Sequence, residues 1–459
     1  MIQASNPQPR GTRRTSQPPR ERFEGTLPKL HSHAAGIDIG ASEHWVCIDP
    51  QLDPKPIRRF GAFTEDLDQL VAWLLERKIT TVAMEATGIY WRSLYLKLSE
   101  AGIEALLVDP RQTRNPRGRK TDMQDCQWIW QLHAHGLLSG GFVPPEQMHG
   151  LRQIMRLRCK RVKEIGVTLV EMQRALSAMN LKLQHVVSDV GGKTGLAIVD
   201  AILAGTRDPL VLARERDYRC RASETTIAKA MTGTWREECL FELAQARKDY
   251  LHFQESIADC DKELAQRLET LVPKPTCEVA LTAKRGTTRS EFAFNAAELA
   301  TQMTGVDLTA IDGIGPSTMM QFLTEIGFDI KAWITNDRFC SWLGLCPNPK
   351  KSGGKTLGSM PTTANRAAQI LRNAAMGLDG KKGPLAEFFA KIKRRRGRAV
   401  AITATAHRLA RIIYAMLKNR SAFDRTKIVP VLTEQKKQRI IDRMLKRAAS
   451  LGVPLVKAA

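Results

Sequence analysis

The sequence predicts three architectures in series: an α/β domain, a region of long paired helices, and a mostly α-helical domain. Three observations predict this. Short apolar runs alternate with amphipathic stretches from His33 to about Phe142. A seven-residue apolar repeat then runs on from Leu151. Beyond about Thr309 the helical stretches are short and punctuated by glycine. The expected division is 1–32, a disordered basic arm; 33–145, the α/β domain; 146–300, a coiled-coil or dimerisation region with an insert; 301–420, the helical domain; and 421–459, a basic tail.

The arm (GTRRTSQPPRERFEG) is rich in Pro, Arg and Ser and has almost no apolar residues, so it cannot form a core. AAGIDIG, HWVCIDP and IRRFGAF read as three strands joined by turns, and TTVAMEATG and IEALLVDP as two buried strands. Each of these last two lies beside a helical stretch, EDLDQLVAWLLERK or YWRSLYLKLSEAG. A three-strand meander followed by alternating helix and strand is the order of an RNase H-like domain.

From Leu151, steps of four and three reach Met155, Arg158, Val162, Ile165, Leu169, Met172, Leu176, Met179 and Leu183. A second seam runs through Cys239, Leu243, Ala246, Tyr250, Phe253, Ile257, Cys260, Leu264, Arg267 and Leu271. Two such helices form either an antiparallel hairpin within the chain or a coiled coil between copies. The insert between them contains VGGKTG, but Val187 stands where a phosphate loop requires its first glycine, so that reading is rejected. In AIDGIGPSTMMQFLTEIG, Gly313 and Gly315 fit the turn of a helix-hairpin-helix, whose backbone N–H groups can meet a phosphate; a plain packing corner is the alternative.

Lys and Arg number 70 against 47 Asp and Glu, a formal charge of +23. Such a field attracts polyanions. No apolar run is long enough to span a bilayer and the N-terminus lacks a signal-peptide core, so the expected partner is nucleic acid, with no membrane, in the cytoplasm. The nine cysteines are scattered without a CxxC pair, which argues against structural zinc and a disulfide framework, Cys340 and Cys346 included.

Chemistry is carried by four acids. Asp38 lies in GIDIG, flanked by glycines that would let a ligand approach the backbone. Glu85 ends an apolar strand, and Asp122 and Asp125 are three residues apart in KTDMQDCQWIW, one face of a helix. Carboxylates at the ends of buried strands are unfavourable unless paired. A divalent cation, Mg²⁺ or Mn²⁺, resolves this and suits phosphoryl transfer. The ordinary alternatives are a turn residue, a paired charge and a helix cap.

With GIDIG, AMEATGIYW, KTDMQD, IDGIGP, WLGLCPNPKKSGGK and NRAAQILRNAA on the page, the sequence from Gly36 to about Asn419 resembles the IS110 (IS-one-ten) family of insertion-sequence transposases. The resemblance implies a RuvC-like N-terminal domain whose metal-binding acids fall on Asp38, Glu85, Asp122 and Asp125. It also implies a serine nucleophile in the C-terminal transposase domain at Ser352, where Lys351 replaces the first of the family's two serines; Ser359 is the alternative. Acids and serine would together act on one phosphodiester, through a phosphoserine intermediate. The implied partners are double-stranded DNA (element ends and target) and a structured non-coding guide RNA; the long heptad helices and the recombination of two duplexes suggest a homodimer or dimer of dimers. Lys350, Lys351 and Lys355 surround Ser352, and with Arg117, Arg119, Lys120 and Arg394, Arg395 and Arg396 they are the expected phosphate contacts. Tyr90 and Trp91 could stack on a base or sit in the core, and His133 shares the face of Asp125. Two rival readings remain: a RuvC-like junction nuclease with water as nucleophile, and a basic nucleic-acid-binding protein without chemistry.

Overall fold

In the N-terminal stretch, alternation does the folding. The computed structural model describes residues 27–86, 88–114, 121–271, 291–347, 349–353, 355–359, 365–426, 434–450 and 452. They divide into two compact units, Met1–Val143 and Pro144–Ala459.

In the first unit the expected strands are β1 (Ala34–Ile39), β2 (Glu43–Ile48), β3 (Ile57–Gly61), β4 (Thr81–Glu85) and β5 (Glu104–Val108). They form one mixed sheet in the order β3-β2-β1-β4-β5. The pairs β1–β2 and β2–β3 are antiparallel, whereas β1–β4 and β4–β5 are parallel. That topology is compatible with the RNase H-like expectation. The helices are α1 (Thr64–Glu76), α2 (Trp91–Glu100), α3 (Pro110–Thr113) and α4 (Asp122–Ala134).

Successive residues of a strand point to opposite faces. On one face of β1, Ala35, Ile37 and Ile39 join Val46, Ile48, Leu70, Leu74, Leu94 and Leu98 in a buried core under α1 and α2. Gly36 and Asp38 lie on the other face, which α4 covers. The parallel strands β1, β4 and β5 end at the same edge of the sheet, where Asp38 and Glu85 sit.

Buried Asp53 ties the β2–β3 connection to α1. It accepts hydrogen bonds from the Lys55 backbone N–H at 2.7 Å, Trp73 Nε1 at 3.0 Å, and Arg58 and Arg77 at 2.9 Å each. The Lys55 and Trp73 hydrogen bonds, with the two guanidinium groups, hold its carboxyl at about 2.

The expected disordered arm ends earlier than its composition suggests. Leu30 and His31 donate backbone hydrogen bonds to Ala134 O, and Lys29 pairs with Asp49 at 2.5 Å. These contacts tie 30–31 to the end of α4 and Lys29 to the residue after β2; residues 1–26 lie outside the described residues.

The second unit opens on α5 (Glu146–Ala178). Four shorter helices follow: α6 (Leu183–Val186), α7 (Lys193–Leu203), α8 (Pro209–Arg214) and α9 (Glu224–Ala230). The long α10 (Glu237–Leu271) then returns. Between the two possibilities for the seams, α5 and α10 pack on each other within the chain. The pairing is antiparallel, since Gly150 faces Arg267, Arg158 faces Asp261, and Met172 and Leu176 share a core with Cys239 and Leu243.

The second seam departs from its expected course at its end. Arg267 is exposed and Leu268 is buried instead, while Phe253 is only half-buried. A guanidinium resists desolvation, so the helix phase turns Leu268 inward. Arg158, the polar residue in the first seam, is buried at 1% exposure and pairs with buried Asp261. It also donates to Glu291 O at 2.7 Å and lies 3.9 Å from the ring centre of Phe292. In VGGKTG, Lys193 pairs with Asp217 at 3.0 Å, so its charge already has a partner.

The remaining elements are α11 (Ala296–Thr304), a 3-10 turn (Leu308–Ala310), α12 (Pro316–Ile326), α13 (Asn336–Trp342), β6 (Pro349–Ser352), β7 (Lys355–Ser359), α14 (Arg366–Met376), α15 (Pro384–Arg396), α16 (Arg398–Asn419) and α17 (Glu434–Ser450). Helices α11 to α16 pack around Phe322, Phe339, Leu371, Phe389, Leu409 and Ile413. Glu325 of α12 ties this group to α5 through a bidentate pair with Arg156 at 2.7 Å and 2.7 Å. No described helix is long and apolar enough to cross a membrane.

Candidate metal centre

Helix α4 begins at Thr121, whose Oγ accepts from the Gln124 N–H at 3.3 Å. The cap is therefore Thr121 and not Asp122. Asp122 and Asp125 fall in the first turn, where the helix dipole favours negative charge. Their position against β1 depends on Gly36. A Cβ at Gly36 would lie 2.6 Å from Cys126 O and 2.7 Å from Trp130 Cα, and closer still to Trp130 N. Backbone of α4 thus rests directly on backbone of β1, two residues from Asp38.

This corrects the expected role of the glycines: Gly36 admits a helix, not a ligand. Gly40 serves the β1–β2 turn, where a Cβ would lie 2.6 Å from Glu43 O.

The result is a convergence of three acids. One carboxylate oxygen each from Asp38, Asp122 and Asp125 lies within 4.8 Å of the others. Asp38 and Asp125 are half-buried and Asp122 is exposed. Three carboxylates so close repel one another, and a bound cation relieves that repulsion. An all-oxygen donor set open to water on one side suits Mg²⁺ or Mn²⁺ in kind.

Glu85 stands outside this group of three. It ends β4 in register with Val108, and its carboxylate accepts a hydrogen bond from buried Thr113. Thr113 closes α3, whose start is set by Asp109, accepting from the Arg111 N–H at 2.9 Å, and by Pro110. The signal for that partner was present in DPRQT as an N-cap followed by proline.

His133 is structural. It is buried, its Nε2 lies 3.0 Å from Thr81 Oγ, and its ring stacks on His31 at 5.1 Å. Burial, aided by neighbouring His31, pushes its pKa down to about 4. Trp91 packs partly against the core and meets Tyr95 edge-on, whereas Tyr90 is exposed.

In the second unit, Ser352 is the last residue of β6 and is registered with Lys355 of β7 across a two-residue connection, in which Gly353 takes φ +55°. This hairpin was not expected from NPKKSGGK, which has few β-forming residues; paired glycines are its signal. The strand pairs Lys350 with Gly358, Lys351 with Thr356, and Pro349 with Ser359. Arg117, Arg119 and Lys120 lie outside the described residues.

Gly313 takes φ +92° and Gly315 caps α12, as a tight turn demands. The element before the turn is a three-residue 3-10 helix, not a full helical arm. Arg394, Arg395 and Arg396 form the exposed last turn of α15, where cations complement the helix dipole. The cysteines among the described residues are free thiols, and burial, reinforced by Cys346, raises Cys340 to about 12.

A mixed α/β unit with clustered acids, followed by a helical second unit in a strongly basic chain, is compatible with a protein that acts on nucleic acid. Residues 35–180 match a family model described as a transposase, DEDD_Tnp_IS110, and residues 307–383 match the model of the transposase IS116/IS110/IS902 family. The chain belongs to the IS110 family of transposases. No curated protein matches it.

Proposed function

We propose that this transposase cuts and rejoins DNA by metal-assisted phosphoryl transfer, with Asp38, Asp122 and Asp125 as the metal ligands and Glu85 as a fourth acid at the same sheet edge. The convergence of the three carboxylates within 4.8 Å carries this reading. A divalent cation held there would stabilise charge developing on the phosphorus oxygens. The carboxylates also set the local field: a bound cation offsets most of their negative charge, and without it they repel the phosphate backbone.

Ser352 is the proposed nucleophile. Its hydroxyl oxygen would form a bond to phosphorus as the 3′ oxygen leaves and takes up the proton, giving a phosphoserine-linked strand and a free 3′-hydroxyl. The reverse step on a new strand restores the serine. Lys350, Lys351 and Lys355 flank it in sequence and supply positive charge to hold the backbone. Gly313 and Gly315, Arg394 to Arg396, and Arg117, Arg119 and Lys120 are proposed phosphate contacts. A guide RNA and assembly into dimers, or dimers of dimers, complete the proposal, as does the five-part division of the chain.

Two measurements test it. Calorimetry with Mn²⁺ should show binding to the full chain that Asp38→Asn abolishes; unchanged binding rejects the metal centre. Denaturing electrophoresis of protein mixed with element-end DNA should show a covalent adduct that Ser352→Ala lacks. Cleavage without any adduct, surviving Ser352→Ala, would establish water as the nucleophile instead.

A further inference from the structure

At the end of α16 the backbone of Arg420 turns left-handed, at φ 46° and ψ 45°. Glycine is the usual residue at such a helix end, because a side chain there is sterically unfavourable. The Arg420 side chain extends over Gly305, which closes α11 in the same left-handed way at φ 74°. Beside these two helix ends lies a cavity of about 430 Å³, within the range of small-molecule sites.

Its walls are Met303 and Thr304 of α11, Leu417 and Lys418 of α16, Phe328, Ile330, Trp333 and Ile334 of the α12–α13 connection, and three charged residues at its mouth, Asp329, Lys331 and Arg420. The charges differ in what they can offer a ligand. Lys331 pairs with Asp329 at 2.9 Å. Lys418 Nζ donates to Ile334 O at 2.8 Å and holds the wall in place, together with Tyr414, whose hydroxyl donates to Trp333 O at 3.0 Å. Arg420 feels the Asp329 carboxylate electrostatically, but no carboxylate among the described residues lies in direct ion-pair contact with it, and Asp329 is engaged by Lys331. The cavity therefore joins an apolar wall, half-buried at Phe328 and exposed at Ile334, to a guanidinium at its mouth. The last carbonyls of α11 and α16 add acceptors beside it.

We propose that this cavity takes one unpaired nucleotide of the bound nucleic acid, its base against Phe328, Ile330 and Ile334 and its phosphate on Arg420. An apolar wall carrying an aromatic ring accepts any base without hydrogen-bond readout, and an exocyclic amine can reach a helix-end carbonyl. A base still paired within a duplex cannot enter, so the site selects a nucleotide that strand opening has freed. The proposal rests on nucleic acid being the substrate, not on the acidic cluster.

The test uses the full chain with EDTA present, so that no divalent cation takes part. Binding of a perfectly paired duplex is compared with that of the same duplex carrying one bulged nucleotide. The wild-type protein should prefer the bulged duplex by about tenfold, the scale of one base stacked on a protein surface. Arg420→Gly and Phe328→Ala should each bring the ratio close to one while binding the paired duplex within about twofold of wild type. Arg420→Gly relieves the left-handed strain, so its melting temperature should be unchanged or higher. No preference in the wild type overturns the proposal. So does an equal loss for both duplexes in Arg420→Gly, which would make Arg420 an ordinary phosphate contact. A lower melting temperature with the preference kept would assign Arg420 to the helix end alone.

Discussion

Replacing Gly36 with alanine should damage the proposed metal centre without touching any of its proposed ligands. The new methyl group would lie 2.6 Å from Cys126 O and 2.7 Å from Trp130 Cα. Ordinary carbon contacts begin at roughly 3.4 Å, so α4 must withdraw by about 0.8 Å, and by more at Trp130 N. Neither obstacle is a flexible side-chain tip; both are helix backbone. Overpacking of this kind costs about 1–3 kcal/mol. Metal sites tolerate roughly 0.2 Å in ligand distance, so the shift of Asp122 and Asp125 relative to Asp38 exceeds the tolerance several times over.

Calorimetry with Mn²⁺ should therefore show a loss of affinity on the order of a hundredfold, a scale matching about 1 Å of misplacement at a reacting site. Thermal melting of the first unit should fall by roughly 4–12 °C. Gly102→Ala serves as the control. Gly102 also lies in the first unit, with φ +74°, but nothing stands within 4 Å of its added Cβ. It should lower the melting temperature through backbone strain and leave Mn²⁺ affinity unchanged. Wild-type stability and Mn²⁺ affinity in Gly36→Ala would refute the close packing of α4 on β1.

Asp261→Ala should cost about 3–5 kcal/mol by stranding the buried Arg158 guanidinium, whereas the double change Arg158→Met with Asp261→Leu should recover most of it; urea unfolding distinguishes the two, and equal losses would show that the pair is not coupled. Stability should also fall with acid. The unfolded chain protonates His133 near 6.5 and the folded one near 4, so the contribution of its neutral form is complete above pH 6.5 and lost as pH falls toward 4, amounting to about 3 kcal/mol. His133→Gln should flatten this slope in part, since His44 and His407 are lowered in the same direction by burial. Asp53 acts in a separate window, losing its contribution as pH falls from 3.8 through about 2. An unaltered slope between pH 6.5 and 4 in His133→Gln would reject the burial argument.

Much of this protein was legible in the residues alone, because local chemistry decides it. Short apolar runs set between amphipathic stretches marked β1 to β5, and Asp38, Asp122 and Asp125 were identifiable as acids on a buried strand and at a helix start. The seams of α5 and α10 follow the same logic, since a heptad records which side of a helix is dry. What the sequence left open depends on which backbone meets which. Both a hairpin and a pair of chains satisfy a heptad, and only the placement of Asp261 opposite Arg158 resolves it within this chain. Gly36 carries no mark distinguishing a glycine that admits a ligand from one that admits a helix. Thr113 gives Glu85 a hydroxyl partner from 28 residues away, and Arg267 yields its seam position to Leu268 by a small turn of helix phase. Propensity and pattern act over a few residues, so they determined the elements and the acids. Close approach between distant backbones is set by the packed whole, and it decided which acids converge.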